Sequence, residues 1–167
     1  GAPFLTSLVL LTCVLCGTFP ASAATVRFGG NAGNGFPGTV EETIMMERSG
    51  YENYNYGGRT VNIVSGDPAN TSNTRRALIR FMDIASNIGP GQVIVSAKMY
   101  LYCHTEDDTS DRTVSAYRVL LDWVEGTQNG VVETGSSCWN YAQYTSLAWN
   151  TAGCSAASDA IGEDSTA

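Results

Sequence analysis

Apolar and polar positions alternate every second residue in several short stretches of this chain, and clusters of Gly, Pro, Asn and Asp separate those stretches. A period of two sends successive side chains to opposite faces of a β-strand. In residues 40–46, Ile44 and Met46 fall on one face and Thr43 and Met45 on the other. Residues 60–65 are rich in β-branched side chains and are stopped by Gly66-Asp67-Pro68. Residues 75–81 send Ala77, Ile79 and Phe81 one way and Arg76, Leu78 and Arg80 the other. Residues 95–103 alternate best: Ala97, Met99, Leu101 and Cys103 share one face, and Lys98, Tyr100 and Tyr102 share the other. Residues 25–28 and 113–121 are further candidate strands, 29–38 is a Gly- and Asn-rich loop, and 49–58 is a polar, aromatic turn region. No stretch sustains a helical period. Six or so strands divided by turns predict an all-β fold, an antiparallel β-sandwich of jelly-roll type.

The N-terminus reads differently. Residues 4–19 form an uncharged apolar run ending at Pro20-Ala21-Ser22-Ala23, whose small-x-small tripeptide fits a secretory signal peptide. The run is short for a membrane span. Residues 1–23 are therefore expected to be a signal peptide, partial because neither an initiator Met nor a basic segment precedes it, and 24–167 the mature domain. The expected location is secreted, extracellular or at the cell surface, with no membrane span once the signal is removed. A net charge of −7, with Lys98 as the only lysine, argues against duplex nucleic acid, which needs a basic footprint. Abundant glycine and 15% charged residues suit a loop-rich exported β domain.

Cys13 and Cys16 leave with the signal, so Cys103, Cys138 and Cys154 remain. Export permits disulfides. Cys138 and Cys154 bracket a loop with two tryptophans and are expected to pair, at about 3 kcal/mol for a loop of that size. Cys103 ends an alternating stretch and reads as a buried thiol. The spacing does not match a zinc site.

No set of acids, bases and nucleophiles stands out, so no catalytic residue is assigned. His104, the only histidine, follows Cys103 on what would be the opposite strand face and reads as a solvated strand end. Glu106, Asp107, Asp108 and Asp111 are hard oxygen ligands suited to calcium, but they lack the spacing of an EF-hand loop and read as a hairpin tip. No metal or other cofactor is expected. Asn70-Thr71-Ser72 is a glycosylation sequon or a simple turn. Arg76, Arg80, Lys98, Tyr100 and Tyr102 form the sharper constellation: with strands 75–81 and 95–103 in one sheet, they emerge on one surface. Arginine forks hold carboxylates or sulfates, and tyrosines offer a flat face to sugar C–H groups. The alternative is that the arginines pair with neighbouring acids and the tyrosines fill the sandwich. Trp123 reads as core, while Trp139 and Trp149 are either core plugs or sugar platforms.

Several of these pieces, in order, resemble a known family. Asn53-Tyr54-Asn55-Tyr56-Gly57-Gly58, Arg75-Arg76-Ala77-Leu78-Ile79-Arg80-Phe81, the alternating stretch through Tyr102, Trp123-Val124-Glu125-Gly126, Cys138-Trp139, Trp149 and Gly153-Cys154 are similar to the DNRLRE domain, also classed as carbohydrate-binding module family 96. Glu42-Thr43-Ile44 and the Met82 insertion depart from the usual pattern. The resemblance implies a jelly-roll sandwich, a polysaccharide ligand of the alginate type, and further closing strands. Because the chain stops at Ser165-Thr166-Ala167, it reads as truncated at both ends. The expected function is a non-catalytic extracellular module that binds acidic polysaccharide and targets an attached enzyme or surface protein. The alternative is a structural adhesin or filament subunit completed by strand exchange with a neighbouring subunit.

Overall fold

The computed structural model describes residues 25–26, 39–66, 73–101 and 113–162. The expected signal peptide, the expected 29–38 loop, residues 70–72, Tyr102, Cys103, His104 and the acidic group Glu106, Asp107, Asp108 and Asp111 lie outside the described residues.

Every named element but one is a β-strand: β1 Val40–Met46, β2 Tyr54–Asn55, β3 Arg75–Phe81, β4 Tyr117–Val119, β5 Val131–Val132, β6 Tyr141–Gln143, β7 Leu147–Ala148 and β8 Ala160–Gly162. The exception is a 3-10 turn, Ala85–Asn87. The fold is all-β, as the alternation predicts. Pairing is antiparallel throughout, in four two-stranded ladders: β1 with β3, β2 with β5, β4 with β8 and β6 with β7.

The β1–β3 ladder organises the rest. Its register runs from Val40 opposite Phe81 to Met46 opposite Arg75. β1 is buried on both faces over its second half, because two apolar clusters sandwich it. Met45, joined by Leu78 of β3, faces Trp123, Trp139, Ala142, Trp149 and Cys154. Ile44 and Met46 face Tyr56, with Tyr54 and Ile63 against them. Alternation in β1 therefore sorts apolar residues between two cores rather than between core and water. The tryptophan cluster is the larger, and burying an aromatic of that size removes about 200 Å² from water, on the order of 5 kcal/mol each before ordering costs.

One loop is fixed by a single buried polar side chain. Asp159 is fully buried. Its carboxylate accepts from the Asn150 N–H (2.8 Å), Asn150 Nδ2 (2.7 Å), the Thr151 N–H (2.9 Å) and the Ala156 N–H (3.2 Å). Burial alone would raise its pKa, but the donors from Thr151, Asn150 and Ala156 outweigh it and hold the carboxyl below its ordinary range. The loop so closed carries Gly153 and Cys154 into the tryptophan cluster.

Three expectations are corrected. Of residues 95–103, where the sequence alternates best, the described part, 95–101, forms no strand; it and residues 92–94 are exposed, Val95 at 88% and Tyr100 at 86%. Alternation specifies a strand only where another strand takes up its N–H and C=O groups, and among the described residues none does. Residues 60–65 likewise contribute one bridge, Ser65 to Arg75, instead of a strand. Cys138 and Cys154 are free thiols, both buried, rather than a disulfide. Cys154 packs in the cluster with Trp139, whereas Cys138 is buried outside that cluster.

Candidate functional site

The sequence places Arg76 and Arg80 on the Leu78 face of β3, and the structure puts that face over the tryptophans. The Arg80 guanidinium carbon lies 4.8 Å from the Trp123 ring centre, and that of Arg76 lies 5.3 Å from Trp139. Arg80 Nε donates to Glu41 Oε2 (2.9 Å), where Nη2 donates as well. Nη1 donates to Asp122 Oδ1 (2.9 Å) and Nη2 to the Trp123 carbonyl (2.9 Å). Burial pulls the Arg80 pKa down, but the hydrogen bonds and charges of Glu41 and Asp122 more than offset it and hold it above its ordinary value. Arg76 Nη1 donates to the Gly153 carbonyl. Both arginines thus close the roof of the cluster, and the acid-pairing alternative describes Arg80.

Trp123, Trp139 and Trp149 are buried at 4, 7 and 5% exposure. Trp149 Nε1 donates to the Cys138 carbonyl (3.0 Å), and the Trp139 ring lies against the Cα of Gly153, where any side chain would collide with it. None of these rings presents a face to solvent. Lys98 and Tyr100 are exposed on the unpaired 92–101 segment, apart from the β1–β3 ladder. Sheet geometry therefore does not gather Arg80, Lys98 and Tyr100 onto one surface.

The Asn-Tyr-Asn-Tyr-Gly-Gly motif has a structural role that its composition does not announce. Asn55, fully buried, donates through Nδ2 to the carbonyls of Glu125 (2.6 Å) and Ser137 (3.0 Å). Its Oδ1 accepts from the N–H groups of Gly57 and Gln128, both at 3.1 Å. A Cβ at Gly57 would stand 2.3 Å from the Glu125 carbonyl oxygen, and one at Gly58 would stand 2.3 Å from that of Thr127. The two glycines are there because two backbones touch. Glu125 also accepts the Glu42 N–H (2.9 Å), tying this turn to β1.

Around that anchor lies a group of residues that the sequence marks as a family motif and an aromatic turn but not as a site. Arg48 stacks on Tyr51 (4.7 Å), Tyr51 meets Tyr54 edge-on (5.1 Å, 63°), and Arg59 lies over Tyr56 (5.9 Å). The Tyr51 N–H donates to the Arg48 carbonyl (2.8 Å) and the Tyr54 N–H to the Tyr51 carbonyl (3.0 Å), so successive turns set the ring positions. Beside Arg59 is a shallow hollow of about 210 Å³ lined by Gly58, Thr60, Val61 and Asn129. The available signal was tyrosine density: three tyrosines in residues 51–56, flanked by Arg48 and Arg59.

Among the described residues no group of three His, Cys, Asp or Glu side chains is placed to hold a metal ion, and no helix is long and apolar enough to cross a membrane. No curated protein and no solved structure matches the chain. The sequence model of carbohydrate-binding module family 96 matches residues 45–130, a span that runs from the two-core strand through the Asn55 anchor and the Glu125 turn. That match covers just over half of the sequence, and the chain belongs to carbohydrate-binding module family 96.

Proposed function

We propose that residues 24–167 act, after loss of a signal peptide, as a non-catalytic extracellular module that holds an acidic polysaccharide such as alginate. Its role is to keep an attached enzyme or surface protein on the polymer, raising the local concentration of one about the other. Family membership is the observation that carries this reading. The acidic ligand is supported by exposed groups of suitable chemistry, Lys98 and Tyr100 among them, with Tyr102 following in the sequence. Trp139 and Trp149 are buried, and the half-buried Arg76 and Arg80 spend their hydrogen bonds within the domain, so the ligand falls to other groups. Native gel retardation of the full chain in gels cast with alginate, polygalacturonate or a neutral β-glucan tests the reading. Retardation by the anionic gels that weakens as salt rises is expected. Unchanged mobility in all three would overturn carbohydrate binding, and retardation only by the glucan would overturn the acidic ligand.

A second reading, a structural subunit completed by a neighbour's strand, is favoured by one feature: the unpaired apolar 92–101 segment, with Val93, Ile94, Val95, Met99 and Leu101 exposed. Light scattering after size exclusion separates the two. A concentration-dependent oligomer that dissociates on Val95→Lys substitution supports strand exchange, and a monomer at all concentrations refutes it.

A further inference from the structure

We infer that Arg48, Tyr51, Tyr54 and Arg59 form a binding platform for a uronate-containing glycan, with sugar rings on the tyrosines and carboxylates at the two guanidinium groups. This rests on the carbohydrate-binding reading above and gives it a site that the 75–81 and 95–103 pattern did not point to.

Commitment of charge is the first argument. Arg80 is held by Glu41 and Asp122, and Arg76 donates to the Gly153 carbonyl. Among the described residues neither Arg48 nor Arg59 forms an ion pair, although the chain is acidic and Glu47 and Glu52 are close in sequence. Glu52 instead accepts the Gly50 N–H (2.8 Å). Each arginine lies over a tyrosine ring, at 4.7 Å for Arg48 and 5.9 Å for Arg59, a contact that restrains the side chain without using up its charge.

Rigidity is the second. A sugar platform needs flat rings that are already ordered, because ordering on binding subtracts from affinity. Tyr51 is 37% exposed, and its edge-on contact with the half-buried Tyr54 limits its freedom. Tyr54 belongs to the β2–β5 ladder and packs on the Ile44–Met46–Tyr56 cluster. The intervening turn is tied to a segment distant in sequence, where Asn140 donates its N–H to the Glu52 carbonyl (3.3 Å) and its Nδ2 to Asn53 Oδ1 (2.9 Å). Proximity is the third. Burial pushes the Tyr56 phenol up, Arg59 and Arg48 pull it down, and Tyr51 and Tyr54 push it further up, so all four lie within electrostatic reach of one central ring.

The test uses the full chain and three variants, Tyr51→Ala, Tyr51→Phe and Arg48→Ala combined with Arg59→Ala, in gels cast with alginate or a neutral β-glucan. Substitution at Tyr51 and Arg48 touches exposed side chains, and unchanged thermal midpoints verify folding. Expected are a loss of about tenfold in alginate affinity for Tyr51→Ala, near-native affinity for Tyr51→Phe, and a comparable loss with a shallower salt dependence for the double arginine variant. Native retardation by alginate with all three variants unaffected would overturn this site while leaving the carbohydrate-binding reading standing. Absence of native retardation in either gel would overturn that reading and this site with it.

Discussion

Replacing Asp159 by alanine removes one carboxylate and leaves four donors without it: the N–H groups of Asn150, Thr151 and Ala156, and Asn150 Nδ2. A hydrogen bond to a charged acceptor contributes about 1.5–3 kcal/mol. The four share one acceptor, and Asn150 and Thr151 are exposed enough for water to replace part of what is lost, so a net destabilisation of about 3 kcal/mol is expected rather than the sum. At roughly 4 °C per kcal/mol for a domain of this size, the thermal midpoint should fall by about 12 °C. Asp159→Asn keeps one oxygen and should fall by roughly half as much. Because the folded carboxyl titrates below its ordinary range, the stability it contributes is fully present above about pH 4 and is lost as pH falls toward the folded value. The gap between native protein and Asp159→Asn should hold from pH 7 to about pH 5 and narrow below about pH 4. Thermal unfolding followed by tryptophan fluorescence reports this directly, since the Asp159 loop delivers Gly153 and Cys154 to Trp139. A midpoint within 2 °C or so of native for Asp159→Ala, against the ~12 °C expected, would refute the clamp; so would a gap that widens on acidification.

Asn55→Ala should destabilise by about 3 kcal/mol in urea titrations, because four backbone groups, one buried and three part-buried, lose their partner at once. Asn55→Asp should rescue little, since a carboxylate would face the Glu125 and Ser137 carbonyl oxygens. Cys154, whose thiol is pushed up to about 11 by burial and by Asp159 against the pull of Arg76, should resist alkylation at pH 8 in the native state, and mass mapping should find it and Cys138 unmodified until the chain is unfolded. Arg80→Ala should lower stability by about 2 kcal/mol, with a shift in Trp123 emission, and leave alginate retention unchanged, because its hydrogen bonds end within the domain.

The long ladder was the most legible part of the fold. β1 and β3 carry β-branched and alternating residues, and their facing assignments, Ile44 with Met46 and Leu78 with the arginines, hold in the structure. Trp123 as core was also readable from its segment. The 92–101 segment was not, because period-two patterning states which side chains share a face and says nothing of whether a neighbouring backbone is present to complete the ladder. Cys138 and Cys154 misled for a related reason: bracketing a loop constrains sequence separation, while a disulfide is decided by where two side chains point. Asp159 and Asn55 were invisible as anchors, since their meaning lies in unpaired N–H and C=O groups supplied by segments up to 82 residues away. The tyrosine and arginine group at 48–59 was legible as composition but not as geometry.

Burial on both faces of β1 has a consequence for how the sheet chooses its alignment. In a strand with one wet face, a one-residue slip is prohibited because it throws the apolar set into water. In β1 the same slip would exchange Met45 for Ile44 or Met46, apolar for apolar, and the penalty would fall at the ends of the buried run, where it carries Glu42 into the place of Thr43 or Glu47 into that of Met46. Further discrimination comes from the other end of the strand, where Glu41 meets Arg80 and Glu42 is held by its N–H to Glu125 and by Asn62 Nδ2 (2.8 Å). Slippage would set Val40 or Glu42 against Arg80 and dissolve all three contacts. The methionine end of β1 therefore acts as adhesive and the acidic end as a key. A variant with Glu41 and Glu42 both made apolar would keep the adhesive and lose the key, easing the slip that carries residue 42 into the buried run while Glu47 still opposes the other.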